Sequence, residues 1–167
     1  MNEELNNLIT ALREELTQYG EILALMQEQQ QFIINRSANE LLLNLNEVNE
    51  QLEKVAFARA EREACRRALM ATLDGSEETT FRQMTEMLPP EVQPLLSALV
   101  EEINQLLQRI QKWLRQNHML LSRSLDLMKQ IMKGMFPSSS ATAGTYSRGG
   151  QVSPVTPPPS TLYEGII

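Results

Sequence analysis

Residues 5–33 read LNNLITALREELTQYGEILALMQEQQQFI, and this stretch decides the fold class. Good helix formers dominate it, and it contains no proline and a single glycine, Gly20. Its apolar residues recur every three or four positions over four heptads, a pattern that only Gln30 interrupts. The seam consists of Leu5, Ile9, Leu12, Leu16, Tyr19, Leu23, Met26 and Ile33. The stretch therefore predicts a long amphipathic helix from Glu3 to about Asn35.

A second helix is predicted from Ser37 to about Leu73. Ser37 and Glu40 have the spacing of a capping box, in which the two side chains satisfy free backbone amides at a helix start. Signs of charge alternate between Arg59 and Arg67, which is typical of a solvated, ion-paired face. The expected buried stripe comprises Leu41, Leu45, Val48, Leu52 and Val55.

A third long helix is predicted from about Pro90 to Phe136, after a short helix over Glu77–Leu88. Its first half carries one apolar seam, made of Val92, Leu96, Leu99, Ile103, Leu106, Ile110 and Trp113. Beyond that seam two apolar stripes run side by side, one of Leu114, Leu121, Leu125, Met128, Met132 and Met135, the other of Leu120, Leu127 and Ile131. A single core contact buries only one stripe, so we expect the other to bind a partner.

These patterns predict an all-α protein: an elongated antiparallel hairpin or bundle of three long, coiled-coil-like helices without a sheet. We assign residues 1–136 to this helical domain. Of residues 137–167, 19 of 31 are Pro, Ser, Thr or Gly, a composition that predicts a disordered tail.

The net charge of -6 disfavours nucleic acid and anionic membrane surfaces as partners, since their phosphates would repel the chain. The acidic start is unlike a secretory signal, and no apolar run reaches the about 18 residues of a membrane span. We therefore expect a cytoplasmic protein without membrane insertion. The single cysteine, Cys65, fits a reducing compartment.

The sequence contains few side chains that could support catalysis or bind a metal. The only histidine, His118, and the only cysteine lie far apart, and no glycine-rich phosphate loop joins a strand to a helix. We expect no enzyme activity, no metal and no cofactor. One remote alternative is a histidine phosphotransfer module that uses His118; Ser122 fits that pattern, but Leu121 replaces the basic residue that would steady the phosphoryl group.

Three segments, taken in order, resemble FlgN-type flagellar export chaperones. They are the run EQQQ at 28–31, NHMLLSRSL at 117–125 in the last helix, and TYSRGG at 145–150 beyond it. In that family an Asn followed by Leu and Ser-Leu marks the final helix, and a Tyr shortly before Gly follows it. The resemblance covers most of the chain but not the extension after Gln151, which ends LYEGII.

The resemblance implies a non-enzymatic cytoplasmic chaperone of flagellar type III export. Its clients would be the C-terminal helical segments of hook-associated proteins, which form the hook–filament junction. It would prevent their premature assembly and deliver them to the export-gate protein, with the export ATPase complex as a further candidate partner.

Carried over by position, the resemblance assigns client binding to the last helix. The residues concerned are Asn117, Leu120, Leu121, Leu125, Met128, Met132 and Met135. Tyr146 matches the tail tyrosine that docks on the export gate, and Tyr163 is a competing candidate for that role. Besides the phosphotransfer module, an open alternative is a chaperone or coiled-coil adaptor of another secretion system.

Overall fold

The computed structural model describes residues 2–73, 75 and 79–136. Within these ranges it has four helices and no strand, which confirms the all-α prediction with three long helices. The helices are α1 (Asn2–Asn35), α2 (Ala38–Thr72), α3 (Phe81–Glu86) and α4 (Gln93–Met135). The chain forms two compact units, Met1–Arg123 and Ser124–Ile167. The predicted tail, with Tyr146 and Tyr163, lies outside the described residues.

Helices α1 and α2 form an antiparallel hairpin joined by Arg36 and Ser37. The amide of Ser37 donates to the carbonyl of Phe32 (3.0 Å) and that of Arg36 to Ile33 (3.2 Å), the two bonds of a Schellman motif. Arg36 takes the left-handed position of this motif, with φ 56°. The predicted capping box at Ser37 is wrong: its side chain caps no amide, and Glu40 finds no free amide because that of Ser37 already closes α1.

The predicted buried stripe of α2 is wrong at two of its five positions, and a third, Leu41, is half-buried. Val48 and Val55 are buried as expected, but Leu45 and Leu52 are exposed. Their places against α1 are taken by Asn44 and Gln51, whose side-chain amides donate to the carbonyls of Leu25 (3.1 Å) and Gln18 (3.2 Å). The α2 register is therefore set by amide groups that satisfy α1 polar atoms, a contact that apolar periodicity does not reveal.

The core of the first unit collects side chains from all four helices. Its most deeply buried apolar residues are Leu8, Leu12, Leu69, Met84 and Leu96. Met84 comes from α3, which is shorter than predicted and starts with a capping box between Thr80 and Gln83. The predicted seam in the first half of α4 is confirmed, because its members are buried or pack against this core: Val92, Leu96, Leu99, Ile103, Leu106, Ile110 and Trp113.

Helix α4 begins at Gln93 rather than near Pro90, with Pro94 in its first turn, where the missing amide hydrogen breaks no bond. It ends at Met135, two residues before Pro137. None of the helices in the described part of the chain is long and apolar enough to cross a membrane.

Candidate functional site

The described residues of the second unit include the last turns of α4, from Ser124 to Met135. We call their apolar side chains, together with Phe136, the exposed apolar face. All of them are between 44% and 71% exposed. They are Leu125, Leu127, Met128, Ile131, Met132, Met135 and Phe136.

The exposed apolar face occupies about half of the helix circumference. Leu125, Met128, Met132 and Met135 follow one another at steps of three and four residues and so share one side of the helix. A second row, Leu127 and Ile131, lies beside them. The opposite side carries Asp126, Lys129, Gln130 and Lys133. This separation of apolar and charged sides suits a contact with another amphipathic helix.

Methionines give this face an adaptable chemistry. A methionine side chain is unbranched and polarizable and has three rotatable bonds, so it fits partner surfaces of different shapes. Met128, Met132 and Met135 are each more than half exposed, whereas Met26, Met70 and Met84 of the first unit are buried. Four of the predicted client-binding residues therefore lie on one accessible surface: Leu125, Met128, Met132 and Met135.

The other predicted client-binding residues belong to the first unit. Leu121 is exposed and Leu120 is half-buried. Asn117 has a different environment from the one that the prediction implies, since it is only 2% exposed. Its side-chain amide donates to the Met26 carbonyl (2.7 Å) and to Gln29 Oε1 (3.0 Å).

The interaction of Asn117 is completed by Gln30, the residue that interrupts the α1 seam. The Gln30 amide donates to Asn117 Oδ1 at 3.2 Å. The polar interruption thus marks the point where α4 is attached to α1 by hydrogen bonds. Asn117 positions α4 within the first unit, and in this conformation its amide is occupied by α1.

A second group of exposed apolar side chains lies on α2 and was missed in the sequence. It consists of Leu42, Leu43, Leu45, Leu52 and Phe57. The signal that could have found it is the seven-residue spacing of Asn44 and Gln51, which indicates that the polar side of α2 faces α1. These five side chains are spread along residues 42–57 with a gap between Leu45 and Leu52, so they are sparser than the exposed apolar face and form no continuous stripe.

Charged residues of the first unit form a small network between α1 and α2. Glu15 is buried, and its Oε2 lies 2.8 Å from Nε of Arg62, which is one-quarter exposed. The expected solvated face at Arg59–Arg67 is therefore partly wrong, because Arg62 points inward to this pair. Glu63 binds Arg66 at 2.6 Å, a hydrogen bond that lowers the pKa of the Glu63 carboxyl.

Two weakly acidic groups, the buried Tyr19 phenol and the half-buried Cys65 thiol, have raised pKa values. Burial raises the pKa of the Tyr19 phenol, and the neighbouring Glu15 carboxylate raises it further. Burial also raises the pKa of the Cys65 thiol, which lowers its nucleophilic thiolate fraction. His118 is exposed. Among the described residues, no three His, Cys, Asp or Glu side chains come together in a way that could hold a metal ion.

No curated protein and no solved structure gives a significant match. The family described as FlgN protein matches residues 1–154, which include every described residue and end 13 residues before the last, Ile167. This match extends over far more than half of the chain and confirms the resemblance seen in the sequence. The chain therefore belongs to the FlgN protein family and is a flagellar export chaperone.

Proposed function

We propose that this chaperone binds the C-terminal helical segments of hook-associated proteins on the exposed apolar face of α4. The bound segment would lie along Leu125, Met128, Met132 and Met135 with its own apolar side inward. Binding would hide the segment's assembly surface until export. The observation that carries this proposal is the group of seven apolar side chains, each at least 44% exposed, on one half of a helix.

The physical support is the cost of leaving such a surface in water. Burying apolar area gives about 25 cal/mol per Å², so a client helix that covers several leucine and methionine side chains gains several kcal/mol. A client end that is unfolded beforehand loses conformational entropy when it forms this helix, which reduces the net affinity. The complex would therefore be stable enough to protect the client and weak enough to release it.

Polar residues around the face would set the orientation of the client. Lys129 and Lys133 lie on the charged side of the helix, where they can pair with acidic residues of a bound segment. Asp126 offers one negative charge on the same side. Such exposed pairs contribute little affinity but disfavour the reversed orientation.

Delivery is a further part of the proposal. We place the chaperone in the cytoplasm, from which it would bring the client to the export-gate protein, with the export ATPase complex as a candidate additional contact. Tyr146 would dock on the gate, because a tyrosine presents an apolar ring and a hydroxyl to a partner. Tyr163 is the competing residue for this contact.

The client surface is tested by calorimetric titration of the purified chain with peptides from the C-termini of the host's hook-associated proteins. A flagellin C-terminal peptide serves as the control ligand. We expect saturable one-to-one binding to the hook-associated peptides and a negative heat-capacity change, because apolar surface is buried. The double variant Leu125→Asp/Met132→Asp should weaken binding by at least about 100-fold, or 2.7 kcal/mol, and keep its helical circular dichroism.

The matched control is Leu45→Asp/Leu52→Asp, which places the same two charges at exposed apolar positions of α2. It should change the affinity by less than about threefold, because surface substitutions away from the contact have small effects. The opposite ranking of the two variants would place the client on α2 and refute the proposed face. Absence of binding to every hook-associated peptide would refute the client class.

A further inference from the structure

The exposed apolar face has an unexplained counterpart in the same chain. Residues 162–167 read LYEGII and are the most apolar segment after Phe136. They lie beyond residue 154, where the FlgN family match ends, so the family assigns them no role. We propose that this segment binds the exposed apolar face of its own chain when no client is present.

The pattern of the segment matches that of a helical ligand. Leu162 and Ile166 are four residues apart, as are Tyr163 and Ile167, so a helix over this segment would place all four side chains on one side. The exposed apolar face accepts such a side by the same helix-on-helix packing that we propose for clients. The segment is short, which makes its contact weaker than that of a longer client helix.

Chain length permits this contact. Residues 137–161 form a connection of 25 residues rich in Pro, Ser, Thr and Gly. A random coil of 25 residues has a root-mean-square span of about 25–30 Å. The apolar face from Leu125 to Phe136 extends about 17 Å along the helix, at about 1.5 Å per residue. The segment can therefore reach every part of the face.

Tethering compensates for the small contact area. A ligand tethered through about 25 residues has an effective concentration of about 1 mM, so even a weak contact is populated in a substantial fraction of molecules. Charge adds to the preference, because Glu164 is the only acidic residue after Asp126 and the charged side of α4 carries Lys129 and Lys133. Acidic and basic groups at the edge of an apolar contact favour one orientation.

Competition between the segment and the client rests on the proposed function, in which the client binds the same face. The segment and the client would then compete, and the client affinity of the full chain would be lower by the factor that self-binding imposes. For a contact of this size we expect that factor to be about two- to tenfold. The segment would shield the methionines of the free chaperone and yield to a client that offers a longer apolar side.

The direct test uses the full chain with carbon-13 labelled methionine methyl groups and a nitroxide at position 165. The label is introduced as Gly165→Cys in a Cys65→Ser background. We expect the nitroxide to broaden the methyl signals of Met128, Met132 and Met135 and to leave those of Met70 and Met84, buried in the first unit, unchanged.

The matched control carries the same label and the serine substitutions Leu162→Ser, Tyr163→Ser, Ile166→Ser and Ile167→Ser. It keeps the length of the connection and removes the apolar contact, so its broadening gives the level that tethering alone produces. Equal broadening in the two proteins would overturn the proposal. Broadening that falls in proportion on tenfold dilution would assign the contact to a second copy and overturn the intramolecular form.

A client titration separates this inference from the proposed function. Addition of a hook-associated peptide should restore the broadened methionine signals, and the serine variant should bind that peptide about two- to tenfold more tightly than the full chain. Methionine broadening without any peptide binding would uphold self-binding and refute the client assignment. Peptide binding without methionine broadening would do the reverse.

Discussion

The helix contacts of α1 bury polar side chains, and the end of α4 exposes apolar ones. Both reverse the usual arrangement, in which apolar side chains are buried and polar ones face water. Within the first unit, side chains of Glu15, Gln29, Asn44, Gln51 and Asn117 are at most 7% exposed. In the second unit, seven large apolar side chains are at least 44% exposed. Polar side chains are thus buried in the first unit, whereas large apolar side chains are exposed at the end of α4.

The buried polar side chains position the helices, whereas the exposed apolar side chains at the end of α4 are available for binding. Each buried amide named above has a hydrogen-bond partner on a neighbouring helix, and such contacts are satisfied in only one register. We infer that these residues specify how α1, α2 and α4 align, as a buried Asn does in a coiled coil. The exposed apolar face carries no such constraint and remains available to partners of varied sequence.

The largest expected difference in the free energy of unfolding is between alanine variants of two leucines on α4. Leu96 is fully buried, so Leu96→Ala should lower the free energy of unfolding by about 3–4 kcal/mol through lost burial and the cavity left behind. Leu125 is half exposed, and Leu125→Ala should change it by less than about 0.5 kcal/mol. Urea denaturation followed by circular dichroism measures both. Similar losses in the two variants would show that the apolar face is buried in solution.

A smaller effect is expected at the ion pair between α1 and α2. Arg62→Leu removes the partner of the buried Glu15 carboxylate and should cost about 2 kcal/mol, less than a fully enclosed pair because Arg62 is partly exposed. The double variant Glu15→Leu/Arg62→Leu should recover most of that loss, since no unpaired charge remains. Arg67→Leu, at a more exposed arginine, is the control and should cost less than about 0.5 kcal/mol.

A double variant as unstable as Arg62→Leu alone would contradict this account of the pair. The loss would then come from packing of the arginine stem instead of its charge. The single variant Glu15→Leu, measured together with Arg62→Leu and the double variant, completes a cycle that isolates the interaction between Glu15 and Arg62.

The attachment of α4 to α1 supplies the next test. Asn117→Ala leaves the Met26 carbonyl, Gln29 and Gln30 without this amide and should cost about 1–2 kcal/mol. His118→Ala changes the adjacent, exposed residue and should cost less than about 0.5 kcal/mol. Both are measured by urea denaturation. An Asn117→Ala variant with unchanged stability but weakened client binding would restore Asn117 as a direct client contact.

Much of this arrangement follows from apolar periodicity. The spacing of leucines and isoleucines predicts the three long helices and the buried seam of α4, because burial of one helix face dominates the energy of such folds. The doubling of the stripe after Trp113 predicts the surplus apolar surface that the structure exposes at the end of α4.

Periodicity fails where polar groups make the contact. Leu45 and Leu52 look like core residues, yet Asn44 and Gln51 face α1 because their amides find carbonyls there. The charge of Glu15 predicts a surface position, but its side chain is buried beside Arg62. The family motif assigns Asn117 to client binding, which stays a prediction; its hydrogen bonds to α1 join residues about 90 positions apart, which no local pattern contains.

The smallest predicted effect concerns the pH dependence of the buried α1 region. The pKa of Tyr19 lies above the usual 10.0 in the folded chain, because burial and the Glu15 carboxylate disfavour the phenolate more than Arg59 and Arg62 favour it. Above about pH 10, an unfolded chain loses this proton while the folded chain keeps it. Ionisation then stabilises the unfolded state, so stability is full below pH 10 and falls as pH rises toward the folded pKa.

Tyr19→Phe should make the alkaline loss of stability shallower, measured as the free energy of unfolding in urea between about pH 8 and pH 11. The comparison is made in a Cys65→Ser background, because burial raises the pKa of that thiol too and gives a loss of the same sign from a lower pH. Ser replaces Cys in both proteins, so their difference belongs to the phenol alone. The exposed apolar face contains no ionisable group, so Leu125→Ala should leave the alkaline slope unchanged. Identical slopes with and without the Tyr19 hydroxyl would mean that water reaches the phenol and that this part of the α1 contact is as open as the end of α4.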